Sequence, residues 1–139
     1  MQFNVAIDAK GRMNFPSRLR EKLGEVFHIT KTLGAKCIKV YSADGWKSLV
    51  ERIQAAPSTE TAPLQRFLFG SKQDIEPDKQ GRFVMSAALR EYAEIETETE
   101  VVIVELEGSA EIWSTANWSR YMSDENMEKM LDIASKFNI

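Results

Sequence analysis

At 139 residues, 43% apolar and 28% charged, the chain has the composition of a globular protein with enough length to bury a core, which sets aside the disordered, collagen-like and disulfide-scaffold classes. One cysteine, Cys37, leaves no intrachain disulfide and no cysteine-based metal site, and no run of about 18 apolar residues offers a membrane span. The net charge of -3 hides a division: residues 1–54 carry ten Lys/Arg against five Asp/Glu, residues 55–139 eight against sixteen, so the first half is basic and the second acidic.

In chain order, Phe3, Val5 and Ile7 alternate with polar or small residues, the period of a half-buried strand, and no basic leader with a long apolar run precedes them. A cytoplasmic location is the expectation. A loop at 8–11 follows, then a second short strand at 12–15. Pro16 opens a brief helix that Gly24 closes, an arrangement favoured by the fixed φ of proline and the free φ of glycine. Strands are predicted at 27–30 and 37–41 around a turn at Gly34. Trp46, Leu49, Val50 and Ile53 then recur at helical spacing behind an Asp44 cap. Residues 55–63, rich in Pro, Ser and Thr, read as a connection, and 64–69 as a short helix. Further on come strands at 71–76 and 83–85, a helix at 86–93, and strands at 101–106 and 111–113. Met127, Met130, Leu131, Ala134 and Phe137 mark one face of a final helix, whose sharpest reading is a subunit interface.

This order is a repeat. Asp8-Ala9-Lys10-Gly11-Arg12 aligns with Asp78-Lys79-Gln80-Gly81-Arg82, and the same register carries Leu19-Arg20-Glu21 onto Leu89-Arg90-Glu91. After a slip of two, Val40-Tyr41-Ser42 falls on Ile112-Trp113-Ser114, and Trp46 on Trp118. The chain therefore divides into a first half at 1–54, a linker and short helix at 55–70, a second half at 71–122 and a C-terminal amphipathic helix at 123–139.

The repeated loop has a chemical logic. The carboxylate of Asp8 or Asp78 can accept backbone N–H groups two or three residues on and close a tight turn. Gly11 or Gly81 supplies the positive φ such a turn demands. Arg12 and Arg82 are then displayed from a rigid edge, with a guanidinium fork that matches phosphate oxygens or a guanine edge. The plainer alternative is that each Asp and Arg simply pair with one another. Duplication of the motif at matching places weakens that alternative without removing it.

These residues, with Phe15-Pro16-Ser17-Arg18-Leu19-Arg20 after the first loop, Leu89-Arg90-Glu91-Tyr92 after the second and Gln65-Arg66-Phe67 between them, resemble the MraZ family over nearly the entire chain. One loop alone would resemble only the broader AbrB/SpoVT swapped-hairpin group, which includes antitoxins. The resemblance implies an α+β fold of two tandem AbrB-like halves related by a pseudo-twofold axis. It also implies a ring-shaped homo-oligomer, nucleoid association, and binding of double-stranded DNA at short promoter repeats ahead of a division and cell-wall gene cluster, mostly as a repressor. Asn14, Ser86 and the opening Gln2-Phe3-Asn4-Val5 depart from the family's usual residues. Candidate DNA contacts are Lys10, Arg12, Arg18, Lys79 and Arg82, with Asp8, Gly11, Asp78 and Gly81 shaping the loops.

Catalysis is not expected. His28, the only histidine, lies in a strand with no partner motif and reads as structural, and no nucleophile elbow, phosphate cradle or metal-ligand spacing accompanies the two aspartates. Neither a cofactor, a metal, a membrane nor a small-molecule substrate is expected. A protein-binding module of antitoxin type is the competing reading, and the basic stretch Lys10, Arg12, Arg18, Arg20 and Lys22 argues against it, because a protein-only scaffold would not need it. The second copy replaces Arg18 with Ala88, so the halves should contribute unequally.

Overall fold

The alternation of Phe3, Val5 and Ile7 does build a strand. In the computed structural model, which describes residues 1–139, β1 (Gln2–Ile7) turns these three inward while Gln2, Asn4 and Ala6 face solvent. There follow β2 (Arg12–Asn14), α1 (Ser17–Leu23), β3 (Phe27–Lys31), β4 (Ile38–Ser42), α2 (Ala43–Gln54) and α3 (Ser58–Leu68). The second half contributes β5 (Gln73–Ile75), β6 (Arg82–Val84), α4 (Ala87–Ala93), β7 (Thr99–Leu106), β8 (Ser109–Ser114) and α5 (Thr115–Tyr121), before the final α6 (Asp124–Lys136).

All eight strands form one antiparallel sheet in the order β5-β3-β4-β8-β7-β1-β2-β6. Its two ends approach each other where the Gln73 side chain bridges to the carbonyl of Val84 (2.8 Å) and the amide of Ser86 (2.9 Å), so the sheet is nearly a closed barrel. Most ladders join one half to the other. The first strand of each half pairs with the third of its opposite number, β1 with β7 and β5 with β3. The second strands pair together, with Met13 opposite its repeat equivalent Phe83. So do the fourth strands, with Lys39 opposite its repeat equivalent Glu111. A pseudo-twofold axis passes through those two pairs. At the second, duplication would place like charges face to face, and here a lysine meets a glutamate at 3.9 Å.

The core draws on both halves. Phe15 stacks on Phe27 (4.5 Å between ring centroids) and Phe83 meets both edge-on, among nineteen clustered buried side chains that include Ile7, Met13, Met85, Leu89 and Ile103. Cys37 lies in a smaller cluster with Val102, Val104 and Trp113, where burial pushes its thiol pKa up to about 12 and keeps it protonated. Nδ1 of His28 lies 2.8 Å from the Asp74 carboxylate, which also meets Lys72 at 2.9 Å, and this stitches β3 to β5.

Two elements differ from their sequence reading, and α5 has no counterpart in it. Ser42, not Asp44, caps α2: its hydroxyl accepts the Gly45 amide (3.0 Å), and Asp44 sits in the first turn, where its charge complements the helix dipole. The supposed linker is largely helix, because α3 begins at Ser58 and runs through Pro63. The hydrogen bond that Pro63 forfeits is offset by burial of Leu68 and by the Gln65 amide donating to the Thr61 hydroxyl (2.9 Å). The C-terminal helix α6 has the amphipathic pattern expected of it but buries none of its residues, and Leu131 and Phe137 are exposed. No helix is long and apolar enough to cross a membrane.

Candidate nucleic-acid interface

Each Asp-x-x-Gly-Arg segment closes a turn through the same five bonds. Oδ1 of Asp8 accepts the amides of Lys10 and Arg12, both at 2.9 Å. The Gly11 amide donates to the Asp8 carbonyl (3.0 Å), the Asp8 amide to the Arg12 carbonyl (3.0 Å), and Nε of Arg12 to Oδ2 of Asp8 (2.7 Å). In the second copy Asp78 accepts the amides of Gln80 and Arg82 at 2.9 Å and Nε of Arg82 at 3.1 Å. Gly11 and Gly81 stand at φ +80° and +84°, a region that side chains with a Cβ avoid. The backbone amide of Arg12, ahead of its side chain, holds the Asp8 carboxyl below the usual carboxylate range, and the Arg82 amide does the same for Asp78.

The Asp–Arg pairing kept open from sequence is therefore present in both loops. It uses only the Nε edge of each guanidinium. Neither Arg12 nor Arg82 makes any other side-chain hydrogen bond, and both side chains are 41% exposed, so the outer forks stay free. An exposed ion pair of this kind adds little stability. Its effect is orientational: the carboxylate that closes the turn also fixes the direction of the arginine that leaves it.

The sheet brings the two arginines together. In the β2–β6 ladder Arg12 lies opposite Val84 and Arg82 opposite Asn14, with Met13 and Phe83 turned into the core between them. Because successive side chains alternate faces, Arg12, Asn14, Arg82 and Val84 share the outer face of a two-stranded ribbon. As diagonal neighbours, Arg12 and Arg82 have Cα atoms on the order of 7–8 Å apart. Lys10 and Lys79 stand exposed at the two loop tips. Sequence reasoning located both arginines but not Asn14 or Val84 between them, since only the cross-half register reveals that all four share one face.

Arg18 is held elsewhere. Its Nε donates to Glu105 (3.0 Å) and Lys22 donates to the other oxygen of the same carboxylate (2.9 Å), which depresses the Glu105 pKa to about 2. Glu105 lies six residues along β7 from Thr99, the partner of the Ile7 that precedes the first loop, a separation on the order of 20 Å. No group of three or more His, Cys, Asp or Glu side chains converges to hold a metal ion.

Comparison with known proteins agrees with the resemblance drawn from the repeated loops. The family described as "MraZ protein, putative antitoxin-like" matches residues 2–65 and 68–136. A protein named Transcriptional regulator MraZ from Heliobacterium modesticaldum is 42% identical over 139 aligned residues, covering 94% of this chain and 95% of that protein. Proteins of the same name from Desulfitobacterium hafniense DCB-2 (44% identical, 83% of this chain and 80% of that protein) and Alkaliphilus oremlandii (38% identical, 91% and 87%) are similar along most of their length.

Proposed function

The chain belongs to the MraZ family, and from that footing we propose that it is a DNA-binding regulator of transcription that reads short promoter repeats as a ring-shaped homo-oligomer. In this reading it is a nucleoid-associated repressor acting on a division and cell-wall gene cluster. The observation that carries the proposal is the β2–β6 ribbon, which presents two aspartate-braced arginines on one outward face. A two-stranded ribbon fits the major groove of B-DNA, and arginine forks match guanine edges and phosphate oxygens. Arg12 and Arg82 are assigned to recognition, Lys10 and Lys79 to the phosphate backbone, and Arg18 to a further backbone contact available when it leaves Glu105.

One ribbon offers few contacts, so affinity should come from several copies engaging successive repeats. Adjacent copies can do so on one side of the duplex only when repeat centres lie about one turn, ~10 base pairs, apart. The test is a titration of single, tandem and half-turn-spaced promoter repeats by the purified protein at several salt concentrations. Weak binding to one repeat, much tighter binding to two, loss of that gain on inserting ~5 base pairs, and a steep decline with salt are expected. Equal affinity for all three DNAs would overturn the reading.

A protein-partner reading draws support from the exposed apolar side chains Met127, Leu131 and Ile133 of α6 and Phe137 just after it. Indifference of DNA binding to ionic strength would favour it.

A further inference from the structure

Arg20 and Arg90 occupy the same position in the two copies, one turn into the helix that follows each loop. From sequence each belongs with its own loop. The fold assigns them crosswise. A Cβ built on Gly81 would meet Cζ, Nη2 and Nε of Arg20 at 2.8, 2.9 and 3.0 Å, so the guanidinium of the first half lies against the bare Cα of the second loop. A Cβ built on Gly11 would meet Nε of Arg90 at 3.4 Å and its Cζ at 3.8 Å. The backbone repeats the exchange on one side, where the amide of Phe15, just ahead of α1, donates to the carbonyl of Gly81 (2.8 Å).

The contact is more than incidental packing. Nε of Arg20 is buried without a hydrogen-bond partner, and a buried unpaired donor needs a reason to persist. The rest of the side chain lines the concavity beside the second loop, with Glu76, Asp78 and Lys79, so a second guanidinium stands next to the segment that carries Arg82. At the first loop, Nε of Arg90 donates to the carbonyl of Met85 (3.4 Å), which anchors it within its own half while it covers Gly11 of the other. Gly81 thus has a second requirement besides positive φ, since it leaves room for the arginine of the opposite half, whereas a Cβ at Gly11 would meet Arg90 only at ordinary contact distance.

We propose that the two recognition loops are composite, each clamped by an arginine from the other half: Arg20 positions the 78–82 loop and Arg90 positions the 8–12 loop. The proposal deepens the DNA-binding reading, and it rests on that reading for its consequence in affinity but not for the clamp itself. Arg20 and Arg90 are positioning residues, and their effects must cross between halves.

Two measurements on the full-length protein separate these parts. In the free protein, Arg20→Ala should raise amide hydrogen exchange at Gly81 and Arg82 by about 10-fold and leave Gly11 and Arg12 unchanged, with Arg90→Ala giving the mirror image. Unchanged exchange of core amides such as Ile103 reports that the variants are folded. Arg20→Lys keeps the charge but not the planar fork and should restore little protection; full restoration would reduce the contact to charge alone and overturn the clamp. In a double-mutant cycle on tandem-repeat DNA, Arg20→Ala should weaken binding about 10-fold in the parent and in Arg12→Ala, but less than about 3-fold in Arg82→Ala. Exchange that rises in the mutated residue's own half, in both loops equally or in neither overturns the proposal, as does coupling of Arg20 to Arg12. Crossed exchange in a protein that binds no DNA would leave the clamp standing and remove the functional reading alone.

Discussion

In the first loop the Asp8 carboxylate accepts two backbone amides at 2.9 Å, and in the second Asp78 does the same at 2.9 Å, yet their surroundings have diverged. Lys10 stands where the second loop has Gln80, and Lys79 where the first has Ala9. The helix after the first loop carries Arg18 and Lys22, both bound to Glu105, whereas the helix after the second has Ala88 and Tyr92 at those places. Tyr92 instead donates its hydroxyl to the carbonyls of Thr32 (2.7 Å) and Ala35 (3.2 Å) and supports the β3–β4 connection. The clamping arginine presses closer on Gly81 than on Gly11. The Asp and Gly that make the turn are common to both copies, while the cations that would meet a polyanion are distributed differently. Two loops with one backbone can therefore differ in what they recognise and in how firmly they are held.

The largest effect should come from removing the displayed arginines. Arg12→Ala is expected to cost ~1–3 kcal/mol of DNA-binding free energy per contact, multiplied when every copy of an oligomer loses it, with melting temperature nearly unchanged because the side chain is exposed. Arg82→Ala should cost less, since the helix after its loop has Ala88 and Tyr92 where the helix after the first has the cations Arg18 and Lys22. Titration of both variants against the same DNA at fixed salt checks the ranking. Equal losses would make the halves equivalent, and a folded Arg12→Ala protein with parental affinity would reduce the Asp8–Arg12 pair to a structural one.

A smaller effect, on stability, should distinguish the glycines. Placing a Cβ at φ near +80° costs on the order of 1–3 kcal/mol at either position. Gly81→Ala must in addition displace Arg20, whose Cζ lies 2.8 Å from the new atom, whereas at Gly11 the nearest atom is at 3.4 Å. Thermal unfolding should therefore rank Gly81→Ala as the less stable variant. The reverse order would mean that Arg20 moves aside freely.

The smallest effect concerns pH. Both loop aspartates have folded pKa values below the ordinary 3.8, so the stability they contribute is fully present above that value and is lost as pH falls through the lower folded values. Carboxyl titration by NMR should find Asp8 and Asp78 still ionised at pH 4, with Gly11 and Gly81 amide protection declining only at more acid pH. Loss of protection at both glycines between pH 6 and 4 would show that other groups close the turns.

The primary structure alone determined the repeat, the strands on either side of each loop and the loop itself, because a turn closed by Asp8, Gly11 and Arg12 depends on contacts within five consecutive residues. Alternation in β1 and the apolar face of α6 were legible for the same reason, being local periodicities. Tertiary structure alone decided which strand pairs with which. Two copies of the same element order offer similar strands as partners, and the exchange of β1 onto β7 and β5 onto β3 is settled only by enclosing one shared core. The same enclosure draws Arg18 away to Glu105, extends α3 through Pro63 where Leu68 can be buried, and sets Arg20 against Gly81, sixty-one residues later in the chain. Each of these depends on a partner distant in sequence, and no local pattern encodes where such a partner will be.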